Sequence, residues 1–367
     1  MCNYLYNKPF LNRQEIETYL RFSYLFADEK GNSLDDSKIR FTVRKEQSKD
    51  DYLQELICIL DDIFTSERQI SDATFLSSGV DSSLLAFGIQ AKKTFSVAYE
   101  EQEFDESPLA HEVAKELQSE HHVIKIGPKE YFDAVDEAIS CRESLTGDAS
   151  YIALYLATKE ASCYTNTICS GEGPDEMFCG YPCYSHYFNN PGEEYWLSVN
   201  TIMDVGEVPS LPDYNGDGFL KMNAFDLTKW MHGNILPNVY AAAKGAKLNI
   251  RTPYMRQELL DFALSLPIKY KADKHMGKLL FREAASRYVG SKNAFREKRG
   301  FPVPVRKWMR QEPYRTLILD VLTDSFTKDI LDFVDVDRIL KSFYTDGDES
   351  VWKQIWEMYV LIRYINL

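Results

Sequence analysis

Between residues 51 and 185 short β-rich runs alternate with amphipathic helical runs, and this alternation narrows the possible folds more than any other feature. Strands separated by helices build a parallel sheet covered on both faces, an α/β fold. The strand candidates are ATFL (73–76), TFSVAY (94–99), HHVIKI (121–126) and NTICS (166–170). Between the second and third lies SPLAHEVAKELQS. There Ser107 can cap, Pro108 suits a first helical turn, and Leu109, Val113 and Leu117 share a face, so a helix is predicted. The texture changes twice along the chain. Residues 1–50 are polar and end in the charged run RKEQSKDD, whereas a segment rich in Asn, Gly, Pro and Asp fills 189–217 and helical patterns follow to Leu367. Three units are expected: a short N-terminal piece (1–50), a sheet domain (51–188) and a mainly helical lobe (189–367).

Composition removes several function classes. Lys and Arg number 42 against 56 for Asp and Glu, a formal charge of -14, which opposes binding by neutralisation of a phosphate backbone; no nucleic-acid partner is expected. No apolar run approaches the ~20 residues of a membrane span, and the N-terminus lacks a cationic start followed by an apolar stretch. A cytoplasmic location without membrane attachment is the expectation. The seven cysteines are scattered and form no CxxC pair, so reduced thiols are expected rather than disulfides or a structural zinc site.

Two loops carry the chemistry. Phe75-Leu76-Ser77-Ser78-Gly79-Val80-Asp81-Ser82-Ser83 stands directly after a strand candidate and before the helical run LLAFGIQAKK. Successive small residues let backbone amides and hydroxyls close around an anion, and the helix N-terminus adds its positive dipole end. No Gly-Lys-Ser/Thr follows, so this is not a Walker A loop; an ordinary strand-to-helix turn is the alternative. Ser170-Gly171-Glu172-Gly173-Pro174-Asp175-Glu176 follows another strand candidate and sets three carboxylates where open α/β sheets bind ligands. Asp81 and Asp175, each at a strand end, are placed to hold Mg²⁺ together, since that hard cation prefers carboxylate and phosphate oxygens.

The motif SSGVDSS is similar to the SGGxDS pyrophosphate loop of PP-loop ATP pyrophosphatases, and SGEGPDEMFCGY resembles the SGEGADELFGGY segment of asparagine synthetases. The likeness continues through FDESPLAHEVAKELQSEHHVIKI, RTPYMRQELLDFALSLP, GKLLFREA, EKRGFPVPVRKW and WKQIWEMYVLIRYI, in the family's order. The resemblance implies a five-stranded HUP-like (PP-loop) parallel sheet with a C-terminal mainly helical lobe. It further implies a reaction in which a carboxylate attacks the α-phosphorus of ATP, releasing pyrophosphate, before an amine displaces AMP. By the same resemblance Ser77, Gly79, Asp81, Ser82 and Ser83 surround the pyrophosphate, Asp81 and Asp175 hold Mg²⁺, and Phe75, Leu76, Val97, Ser170 and Gly171 hold the nucleoside. Lys298 matches the family's catalytic lysine, with Arg299 and Lys278 as weaker candidates. Glu172 and Tyr181 match a carboxylate and a phenol that assist amine deprotonation in the β-lactam synthetases of the family; a packed pocket wall is the alternative.

The chain also departs from the family pattern. Only 76 residues precede Ser77, too few for the family's N-terminal glutaminase domain, so residues 1–50 are expected to be its remnant and Cys2 is not expected to be a glutaminase nucleophile. The amine would come from free ammonia, a separate amidotransferase chain or the substrate, and a second copy or another chain could cover the apolar face so left. The substrate-recognition run becomes NVYAAAKGAKLNIRTPYMR, with Arg256 where the pattern has an acid, which favours another small-molecule or peptide carboxylate over aspartate. The expected activity is an ATP-dependent amide-forming ligase in the tailoring of a natural product or cell-surface compound. Ammonia-dependent asparagine synthesis and a non-catalytic ATP-binding subunit are the alternatives.

Overall fold

The structure, a computed structural model, describes residues 11–25, 47–189, 191, 201–206, 218–297 and 300–367. Lys298, Arg299, Cys2, most of the 189–217 loop and much of the 1–50 unit lie outside the described residues.

Five strands form one sheet: β1 (Ala73–Phe75), β2 (Lys93–Ala98), β3 (Glu120–Lys125), β4 (Thr167–Cys169) and β5 (Asn249–Arg251). Their order is β3-β2-β1-β4-β5 and every pairing is parallel. All four candidate strands are therefore present, and the five-stranded α/β sheet implied by the family likeness is correct. The 188/189 boundary does not confine the sheet to the first segment, because β5 comes from the expected helical lobe. Its three residues are too few to show a period; its pairing with β4, Ile250 opposite Ile168, makes it a strand.

The strand order fixes where a ligand can enter. From β1 the chain moves outward to β2 and β3, then returns beside β1 to lay down β4, so the order reverses between β1 and β4. The crevice beyond the C-terminal ends of those two strands is the usual ligand site of an open α/β sheet. Both chemistry-bearing loops leave from it.

Helices α1 (Arg13–Phe22), α2 (Lys49–Glu67), α3 (Val80–Ile89) and α4 (Ser107–Leu117) precede the lobe. In α4 Val113 is buried and Leu109 and Leu117 are half-buried, as the spacing predicted. The cap differs: Ser107 is the first helical residue, and the Asp105 carboxylate accepts its N–H at 2.9 Å. A carboxylate near a helix start also gains from the dipole, which a serine does not. The N-terminal α1 opens with an Asn12–Glu15 capping box and buries Tyr19, Leu20 and Phe22. Tyr19 and Leu20 share a core with Tyr359 and Leu361 of the C-terminal helix Trp352–Ile365. Burying such side chains stabilises by about 1.5–3 kcal/mol each, so residues 11–25 are an integral part of this fold.

Glu67, the last residue of α2, is 1% exposed and accepts from Arg251 at 2.8 and 3.0 Å and from Arg256 at 3.1 Å. Arg256 thus ties the segment after β5 to α2, and the altered substrate charge expected of it gives way to this structural role. Burial raises the Glu67 carboxyl, but the two guanidiniums outweigh burial and hold it below the usual carboxylate range.

Candidate functional site

The first loop is tied into a compact turn. Gly79 is the N-cap of α3, and its N–H donates to Ser77 Oγ at 3.1 Å. The Ser77 N–H donates to Ser82 Oγ at 3.0 Å, and the two hydroxyls lie 2.9 Å apart. Small side chains and the first turn of α3 therefore face one another across a tight concavity, the arrangement that receives anionic oxygens. Ser83 is fully buried, and its hydroxyl has no hydrogen-bond partner among the described residues.

The second loop meets the first directly. A Cβ on Gly171 would lie 3.5 Å from the Ser82 nitrogen, so the two backbones are in contact there. Asp81 and Asp175 converge on one cation, Lys278, whose Nζ lies 2.5 Å from Asp81 and 2.7 Å from Asp175. The ammonium is buried. Burial lowers its pKa, yet the charges of Asp175 and Asp81 more than reverse this and leave it raised. Lys278 stands in the left-handed backbone region (φ 62°), and its N–H donates to the Phe178 carbonyl at 2.9 Å. A Cβ on Gly180 would come within 2.1 Å of both Asp175 and Lys278, so only glycine allows the ion pair to form there. The Tyr254 hydroxyl donates to the Asp81 carbonyl at 3.0 Å and closes the floor.

A second polar group backs the acid loop. Glu176 is buried, and the Tyr181 hydroxyl donates to its Oε1 at 2.5 Å while Trp230 Nε1 donates to the Tyr181 oxygen at 3.2 Å. Burial above all, then the charge of Asp175, pushes the Glu176 carboxyl up to about 8. The Glu176 carbonyl accepts from Asn223, which in turn accepts from the buried Lys271 at 2.9 Å. The sequence pattern pointed to Glu172 as the carboxylate beside Tyr181; the structure puts Glu176 on the phenol and has the Ser170 hydroxyl donate to Glu172 at 3.0 Å.

Of the residues expected at the nucleoside, Leu76 and Val97 line, with Ser77, Ser96 and Phe301, a recess of about 30 Å³, room for about one water. Phe75 is not among them; it packs with Ala73, Phe95 and Ile168 on the sheet. A larger cavity of about 660 Å³ begins at Tyr181, shares Phe104, Phe301 and Pro302 with that recess, and runs to the C-terminal helix. The sequence reading did not single out Tyr254 or the cavity, counted Glu176 only among the three carboxylates of SGEGPDE, and named Lys278, in GKLLFREA, only as a weaker candidate beside Lys298.

Two comparisons with known proteins cover the region that holds this site. The asparagine synthase family profile matches residues 66–365. The chain is 27% identical over 315 residues to asparagine synthetase [glutamine-hydrolyzing] 1 of Bacillus subtilis, covering 69% of this chain and 50% of that protein. It is 22% identical over 369 residues to a putative asparagine synthetase [glutamine-hydrolyzing] of Mycobacterium tuberculosis, covering 84% of this chain and 56% of that protein. The chain thus spans about half the length of these relatives. The matched region contains both strand-end loops, the Lys278 ion pair and the helices around them: the chain belongs to the asparagine synthase family.

Proposed function

We propose that the chain is an ATP-dependent, AMP-forming amide ligase that adenylates a substrate carboxylate and couples it to ammonia or an amine. One observation carries this reading: Asp81 and Asp175, 94 residues apart in sequence, meet on Lys278 at the point where the strand order reverses. Two carboxylates and one ammonium leave a net negative charge, which would repel a triphosphate. The donor set fits a hard divalent cation, and Mg²⁺ held by Asp81 and Asp175 would supply the charge that draws phosphate oxygens in.

In this reading Ser77, Gly79, Ser82 and Ser83 bind the pyrophosphate portion, and Leu76, Val97, Ser170 and Gly171 flank the nucleoside, with Phe75 acting from behind as packing. Lys278 and Lys298 stabilise charge developing as pyrophosphate leaves; a preorganised group of this kind is worth about 3 kcal/mol. Tyr181 with Glu176 accepts the amine proton, since a protonated amine has no lone pair with which to attack. Glu172 orients Ser170.

The test is product analysis with ATP, Mg²⁺, a panel of carboxylates and ammonium or amines. AMP and pyrophosphate are expected, and ADP with phosphate alone would exclude the mechanism. Lys298→Ala should remove most turnover while the circular dichroism stays unchanged. The names of the relatives make aspartate and ammonia the alternative pair. The 660 Å³ cavity favours a larger, tailoring-type substrate, and robust asparagine formation would decide for the alternative.

A further inference from the structure

The large cavity has a polarity that the phosphate site does not explain. Its wall includes three carboxylates, Asp148, Asp226 and Glu357, and two cations, Arg306 and Lys353. Asp226 is 3% and Glu357 1% exposed, whereas Lys353 is exposed and Arg306 is paired at 3.0 Å with Glu349. Positive charge sits at the outer wall and negative charge at the buried wall.

Glu357 is the unusual member. It lies on the C-terminal helix, and its Oε2 is buried with no hydrogen-bond partner among the described residues. The side chain is packed into place: a Cβ on Gly147 would fall 2.7 Å from its Cγ and 2.9 Å from Ser23 Oγ. A buried carboxylate oxygen left incomplete by its own chain is costly, and an ammonium donor brought by a ligand would complete it. Burial holds this carboxyl well above the usual range against the opposing effects of the Ser23 hydroxyl and the Lys353 charge, and Asp148 adds to the rise, which a bound cation would reverse. Asp148 is rigidly held, accepting from Ser150, Asn234 and Asn238.

The remaining wall suits an organic cation. Trp230 spends its indole N–H on Tyr181 and is only half-buried, so what it offers a ligand is ring surface, while Trp356, its N–H on the Gly147 carbonyl, backs the wall. Ring faces attract ammonium groups. The volume, about 660 Å³ against the ~30 Å³ of a water-sized molecule, is far more than free ammonia occupies.

We propose that this cavity binds an organic substrate carrying an ammonium group on an apolar, ring-sized body, with Glu357 recognising the charge. As a substrate assignment it rests on the ligase reading above, but binding tests it separately. Calorimetry on the full chain would use tryptamine, its neutral counterpart tryptophol and the anion indole-3-propionate. Tryptamine should bind at least about tenfold more tightly than tryptophol, Glu357→Gln should erase that preference, and Glu357→Asp should keep its order. Asp148→Asn, which preserves a good N-cap residue, should weaken tryptamine by a smaller factor and serves if Glu357→Gln fails to fold by circular dichroism. Tighter binding of indole-3-propionate, an unchanged preference in Glu357→Gln, or no binding of any probe would overturn the proposal. Mg-ATP affinity should be equal in wild type and Glu357→Gln. A chain that binds tryptamine through Glu357 but yields no AMP would leave this inference standing and remove the ligase reading.

Discussion

The two-loop cleft and the large cavity are neighbours, joined by Phe104 and Phe301 of the small recess beside Ser77, yet they are built on opposite plans. The cleft is assembled from two short loops of glycine and serine whose backbones touch, and its charges are paired. The cavity draws its wall from α1, the start of the Ala149–Ala161 helix, the Trp230 region, the strip after Gly300 and the C-terminal helix, and it keeps a buried acid unsatisfied. The difference teaches where each kind of demand is met. Handling a triphosphate needs close backbone approach, which local sequence can specify, whereas selecting an organic group needs shaped volume, which only distant segments can enclose.

If that division is right, substitutions in the cleft should abolish chemistry and those around it should tune it. Lys278→Met should have the largest effect. It strips the shared cation from Asp81 and Asp175, and we expect about 10³-fold slower pyrophosphate release together with about 3 kcal/mol lower stability in urea unfolding. Near-normal turnover would break the comparison by removing its central ion pair. Asp175→Asn should follow, with about 100-fold slower pyrophosphate release and a folded circular dichroism spectrum.

A smaller effect belongs to Tyr181→Phe, which removes the donor to Glu176 and the acceptor of Trp230 at the border of the two regions. It should slow amide formation by about tenfold while leaving adenylation, read as isotope exchange between pyrophosphate and ATP, within a factor of ~2. The pH profile sharpens this. Because Glu176 titrates at about 8, the carboxylate that accepts a proton forms as pH rises through that value, so amide formation should climb there. Glu176→Gln should flatten the climb, and an unaltered profile would assign it to another group.

The smallest effect on activity is expected at Glu67, which lines neither region. Its lowered pKa means the folded chain binds fewer protons than the unfolded one as pH falls. The stability it contributes is present above the ordinary glutamate range, near pH 4.3, and is lost as pH drops through its folded value. Glu67→Gln should flatten that acid limb in denaturation curves between about pH 5 and 3, with turnover near neutral pH unchanged.

How much was legible follows from the same division. The SSGVDSS loop, the SGEGPDE segment and four strands are contiguous, so period and residue type exposed them, and the two loops bring Asp81 and Asp175 onto one cation. The ion pair of Lys278 was not legible because it depends on a left-handed backbone and on Gly180 making room, neither of which is visible in GKLLFREA. Glu172 was assigned beside Tyr181 by family likeness, which does not say that the phenol turns to Glu176. β5 escaped the pattern because a partner strand, not its own three residues, makes it a strand. The cavity left no trace at all, since the residues that line it run from Phe22 to Glu357.

The late arrival of β5 has a consequence for anyone dividing this chain. Cutting at the linker would strip β4 of its outer neighbour and Glu67 of both guanidiniums, leaving a four-stranded fragment with a bare, hydrogen-bond-hungry flank. Such halves should aggregate when expressed alone and recover only when synthesised together, so the segment that looks like an appendage is the clasp that finishes the sheet.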